Sequence, residues 1–219
     1  TVTGVQTCAL PICVKDSLCY FANYYGDKQY IHDSARSDAN GVYTFERKEK
    51  LPGGIYLFVM PSRKYFEVLI DHDKNFSMET DTIEMVKNMK IKNSNDNKLF
   101  YEYLNFITAR SKEVEPLRAK KNNSTNKDTI KYYTEKIMKV DTIVDNYKKN
   151  FIKDHPDFLL TKIFNLSEDP KVPDPPTLPN GKKDSLFQFR YYKAHYFDKI
   201  DFSDERLLRT PVFHGDRKS

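Results

Sequence analysis

Residues 40–81 read NGVYTFERKEKLPGGIYLFVMPSRKYFEVLIDHDKNFSMETD. Three apolar, β-branched and aromatic runs lie in it: Val42–Arg47, Ile55–Met60 and Tyr65–Ile70, with a shorter one at Phe76–Thr80. Pro52-Gly53-Gly54 and Asp71-His-Asp-Lys-Asn75 separate them. Short runs of this composition, broken by Gly, Pro, Asn and Asp, predict an antiparallel meander. Tyr43 and Phe45 fall on one face and Thr44 and Glu46 on the other, the period of a half-buried strand. Ile55–Met60 is apolar on both faces and is expected to be central.

Working back toward the start, Leu18–Tyr25 and Lys28–Ala35 predict two further strands joined at Gly26-Asp27, where a tight turn needs positive φ. Asp38-Ala-Asn-Gly41 reads as another turn; such a quartet can open a calcium loop, but the later acidic ligands are missing. Val86–Lys92 adds a Lys-rich edge strand. About seven strands at short spacing predict a β-sandwich over residues 15–92.

From residue 93 the apolar period changes to that of helices. Asn93-Ser-Asn-Asp-Asn97 supplies N-cap residues, and Leu99, Tyr103, Phe106, Ile107, Val114 and Leu117 follow at helical spacing. Pro116 is expected to kink or end that helix. Ile130, Tyr133, Ile137, Val140, Val144, Tyr147 and Phe151 form an apolar seam. It is read as one side of an antiparallel pair with the preceding helix, in preference to an intermolecular coiled coil. Asp154-His-Pro156 is read as opening a third helix with Pro at the first position, and Asp169–Pro179, with five prolines, as extended loop. A fourth helix is predicted over Asp184–Ile200, its rings assigned to core packing, and a short turn capped by Ser203-Asp-Glu205 carries Leu207 and Leu208. The fold class is therefore α+β: an antiparallel β-sandwich, then an all-α helical bundle over residues 93–219, read as interrupted at its C-terminal end.

Composition narrows the functional classes. Aromatics make up 14% of the 219 residues and hydrophobics 39%, enough for cores. Charged residues reach 31% but nearly cancel to a net +5, with both signs interspersed, so no polyanion-binding face is expected. The basic doublets Lys120-Lys121, Lys148-Lys149, Lys182-Lys183 and Arg217-Lys218 read as solvated faces, and nucleic acid is not counted as a partner. His32, His72, His155, His195 and His214 are scattered, without metal-ligand spacing. No C-x-x-C, G-x-S-x-G, phosphate loop or dinucleotide fingerprint occurs. No catalytic, cofactor-binding or metal-ligating residue is assigned, and no cofactor.

Thr1–Cys13 (TVTGVQTCALPIC) resembles translated sequencing adapter and is set aside, and Cys8 and Cys13 with it. Cys19 remains, in an apolar run, as a small buried hydrophobe.

Two sets of motifs carry a family resemblance. Asp33-Ser34, Asp38-x-Asn-Gly-x-Tyr-x-Phe45, Leu51-Pro-x-Gly-x-Tyr56, and Tyr65-Phe66 through Ile70-Asp71 to Phe76-Ser77 are similar to a domain of unknown function. That domain occurs at the N-terminus of thioredoxin-like envelope proteins in Bacteroidetes-type bacteria. The helical half resembles a second such domain through Tyr103-Leu-x-Phe106, His155-Pro156, Arg190–Asp198 and Ile200–Pro211, the last being the most specific. The resemblance covers nearly everything after residue 15. It implies the non-catalytic N-terminal region of a TlpA/ResA-type thiol–disulfide oxidoreductase. It also implies a periplasmic or cell-envelope location, a downstream thioredoxin-like domain and envelope protein substrates as partners, and membrane attachment only through an N-terminal lipid anchor. The chain has no dithiol motif, so no catalytic residue carries over, and the stretch itself is expected to be non-catalytic. The alternative reading is a free-standing, non-enzymatic envelope module that binds a peptide or a glycan.

Overall fold

A computed structural model describes residues 16–26, 28–46, 50–73, 75–179 and 181–211. The adapter-like segment, Cys8, Cys13 and His214 lie outside the described residues. The chain runs through β1 (Leu18–Tyr25), β2 (Lys28–Arg36), β3 (Gly54–Val59), β4 (Tyr65–Ile70), β5 (Ser77–Glu79) and β6 (Lys90–Lys92). It continues through α1 (Asn95–Asn122), α2 (Lys127–Asp154), α3 (Leu159–Leu166), α4 (Phe187–His195) and a 3-10 helix, Glu205–Arg209.

The architecture is α+β; among the described residues the β half has six strands, where about seven in a sandwich are expected. β1–β4 form an antiparallel sheet in the order β2-β1-β3-β4, and β5 and β6 pair as a separate ribbon. β3 is interior, as its two-faced apolar sequence requires: Ile55, Tyr56, Leu57 and Phe58 are all buried. Val42–Glu46 keeps the expected alternation, with Tyr43 and Phe45 buried and Thr44 and Glu46 exposed, yet joins no strand ladder. It lies as an extended cover whose rings contact Phe58 and Phe21 at 5.3 Å centroid distance. Burial of alternate side chains needs an extended chain, not a paired one, so the pattern alone overcounts strands. The Val86–Lys92 strand shrinks to Lys90–Lys92. Asp81 accepts from the N–H groups of Ile83 and Glu84, both at 2.8 Å, and residues 85–88 then turn, with Asn88 N–H donating to Glu84 C=O at 2.9 Å.

α1 begins as the N-cap signal implies, with Asn97 N–H donating to Ser94 Oγ at 3.1 Å. Pro116 does not end it; the helix continues to Asn122. Pro116 and Lys112, whose carbonyl loses its usual donor, are both exposed, so water can satisfy the freed oxygen. α1 and α2, joined by a short loop capped at Asn126, pair as a hairpin. Every seam residue of α2 is buried or half-buried, and Tyr147 stacks on Phe106 at 4.2 Å. The third helix starts at Leu159, three residues beyond the expected Pro156, because its first N–H is met by a carboxylate from the sheet.

One continuous apolar cluster joins the two halves. Phe21, Phe58, Phe66 and Val68 of the sheet share it with Phe100, Phe151, Leu159, Phe164 and Leu207 of the helical elements. A smaller cluster of Val114, Ile137 and Val140 holds the outer part of the hairpin together.

Candidate functional site

The strongest polar constellation sits where the sheet meets the helices. Asp71, at the end of β4, accepts from Arg206 Nη1 at 2.6 Å through Oδ1 and from Leu159 N–H at 3.0 Å through Oδ2. Arg206 also clasps Asp204 through Nε at 2.8 Å and Nη2 at 2.6 Å. The Asp71 side chain is 3% exposed and that of Arg206 24%. These bonds hold the Asp204 carboxyl below its usual range and the guanidinium firmly charged.

Beside this clamp, ligand-type atoms of Asp71, His72 and Asp96 lie within 4.8 Å of one another. Spacing alone does not foresee the group, since Asp96 is distant in sequence. Its oxygens are already engaged. Asp96 Oδ2 accepts from the N–H groups of His72 at 2.8 Å and Asp73 at 3.1 Å, while Asp71 is taken by Arg206 and Leu159. A cation there would have to compete with a guanidinium, so the geometry is that of a junction between elements.

Asn97 serves the same junction and was not legible as more than a cap. Fully buried, it accepts from Leu69 N–H at 2.8 Å and donates to Leu69 C=O at 2.8 Å. Tyr101 donates to Glu67 C=O at 2.8 Å. Together they close the outer edge of β4 with side chains instead of a strand. Burial pushes the Glu67 carboxyl up, and burial, with the Glu67 charge next, pushes Tyr24 up to about 12.

Two exposed surfaces stand out among the described residues. On one sheet face, Tyr30, Asn23 and Tyr56 form a row across β2, β1 and β3. With Tyr25, His32, Pro52 and Arg209 they line a depression of about 440 Å³. Tyr25 and Tyr30 meet edge to face at 6.3 Å, and His32 stands against Tyr56 at 5.9 Å. Gly54 makes this arrangement possible: its φ is +151°, and a Cβ there would fall on the Arg209 side chain.

The second surface corrects the core assignment of the late aromatics. None of the nine residues of α4 is buried. Leu186, Phe189, Phe197 and Phe202 are 60%, 67%, 47% and 59% exposed. Amphipathic spacing cannot tell which face of a short helix meets other elements; here Phe187 and Tyr191 are only half-buried and Phe189 is left exposed. The segment is tied down by polar bonds instead, Tyr192 Oη to Asp169 at 2.8 Å and Lys199 to Glu168 at 2.7 Å.

The other residues considered from sequence do not converge. Cys19 is fully buried, and burial pushes its thiol up, as expected of an inert core cysteine. His155 packs between Phe151 and Phe158, and His195 Nδ1 lies 2.6 Å from Asp198 Oδ2 on the surface. Among the described residues no helix is long and apolar enough to cross a membrane.

Residues 14–100 match the family model of a domain of unknown function (DUF4369). The match takes in β1 to β6 and the first turn of α1. No curated protein and no solved structure matches the chain.

Proposed function

We propose that the chain is the accessory, non-catalytic N-terminal region of an envelope thioredoxin-like thiol–disulfide oxidoreductase, serving as scaffold and partner-binding region. The observation that carries this reading is the exposure of Leu186, Phe189, Phe197 and Phe202 within one segment. Large exposed apolar groups gathered on one segment mark interaction surfaces. The shared core of sheet and helices supports the scaffold role, since it would present that surface on a rigid unit. The sequence resemblance supplies the partner, a downstream thioredoxin-like domain. Reading the gene beyond Ser219 for a strand followed by C-x-x-C tests the proposal. A native stop codon without such a motif refutes it, and so does insulin reduction by the present chain alone.

A second reading, an envelope module that binds a peptide or glycan, is favoured by the Tyr25–Tyr30–Arg209 depression. It predicts saturable ligand binding by the chain without any downstream domain.

A further inference from the structure

We infer that the depression between β1, β2, β3 and the 3-10 helix is a binding site for an acidic saccharide, a hydroxylated ring carrying a carboxylate; this rests on the binding-module reading. Two arginines leave the 3-10 helix toward the sheet, and they are treated differently. Arg206 is neutralised by Asp71 and Asp204. Arg209 makes no ion pair among the described residues; its Nη1 donates to Glu205 C=O at 3.3 Å. Among the described residues no carboxylate lines the depression, so its charge is complementary to an anion.

The rest of the lining specifies the body of the ligand. Tyr25 and Tyr30 are each about half exposed, offering ring faces beside hydroxyl groups. Asn23 and Tyr56 are buried and bonded to the Tyr24 and Pro52 carbonyls, so they form the floor, while His32 adds an imidazole and Pro52 a small aliphatic surface. An alkyl chain would find little to pack against. A pyranose ring, with an apolar C–H face and several hydroxyls, would find ring contact and hydrogen bonds together, with its carboxylate at Arg209 as the directional contact.

Two of the sequence motifs that also serve the core converge here. Leu51-Pro-x-Gly-x-Tyr56 contributes Pro52, Gly54 and Tyr56, and the Ile200–Pro211 run contributes Arg209. Gly54 clears the space in which Arg209 crosses β3.

The test is calorimetric titration of the 219-residue chain with a glucuronate-containing tetrasaccharide, an uncharged glucose tetrasaccharide, and a short peptide ending in a tyrosine carboxylate. The acidic saccharide is expected to bind with a Kd of about 1 mM or tighter, at least ~10-fold better than the uncharged one, and more weakly as salt is raised. Arg209→Gln and Tyr30→Ser should each weaken it by ~10-fold or more without lowering the melting temperature. Tyr30 is half exposed, so its variant keeps the test valid if Arg209→Gln loosens the 3-10 helix. Equal binding of charged and uncharged saccharides, unchanged binding by both variants, or binding of the peptide alone overturns the inference and leaves the module reading standing. No binding of any of the three at 10 mM overturns both.

Discussion

Replacing Asn97 by Asp keeps the side chain's shape and removes its donors. The amide donates to Leu69 C=O at 2.8 Å and to Ser94 Oγ at 3.0 Å, in a fully buried position. Loss of the bond to Ser94 costs about 1 kcal/mol, and an unpaired Leu69 carbonyl costs about 1–3 kcal/mol more. A carboxylate facing that carbonyl adds desolvation and repulsion, so Asn97→Asp should destabilise the fold by about 3 kcal/mol or more at pH 7. For a chain of this size that is a drop of about 6–12 °C in Tm. The defect should shrink as pH falls, because the introduced carboxyl, once protonated, can donate to Leu69 C=O. Its folded-state pKa is raised above the unfolded value near 3.9. The stability difference is therefore smallest below that value and grows as pH rises through the folded pKa. Urea unfolding followed by circular dichroism, with wild type and variant at pH 4 and pH 7, measures both effects. A difference under about 1 kcal/mol at pH 7, or one that does not change with pH, would refute the assignment of Asn97 as the side chain that closes β4.

Three further outcomes follow from the same geometry. Arg206→Met leaves Asp71 buried opposite no cation and should cost about 3 kcal/mol in urea unfolding, the lower end for a buried pair because Arg206 retains some exposure. Gly54→Ala forces a side chain into φ +151° and onto Arg209; it should destabilise by about 1–3 kcal/mol and shift the Arg209 region in an NMR spectrum. Glu67 is held above its usual carboxylate range by burial, so it favours the fold below its unfolded pKa and works against it as pH rises through the folded value. Glu67→Gln should therefore raise the urea midpoint at pH 7 and leave it nearly unchanged at pH 3.

The run Leu18–Tyr25 before its Gly26-Asp27 turn, the two-faced apolar run of Ile55–Met60 and the heptad-like seam from Ile130 to Phe151 each determine an element locally. Periodicity reports which residues share a face, and those faces were found buried. The same signal misjudged Val42–Glu46 and Asp184–Ile200. An extended segment buries alternate residues with or without a ladder, and an aromatic-rich helix has the same spacing whether or not anything covers it. The junction was invisible for a different reason. Asp71, Asn97, Leu159 and Arg206 meet only after the chain has folded back on itself, and no local pattern marks a carboxylate that will cap a helix 88 residues later. The linear chain thus settled the change from pleated to helical structure near residue 93, because that depends on side-chain period. Tertiary contact alone decided that the two halves share one core, that helix side chains close the sheet edge, and that Arg209 is left facing an aromatic depression, because each depends on groups far apart in sequence arriving at one place.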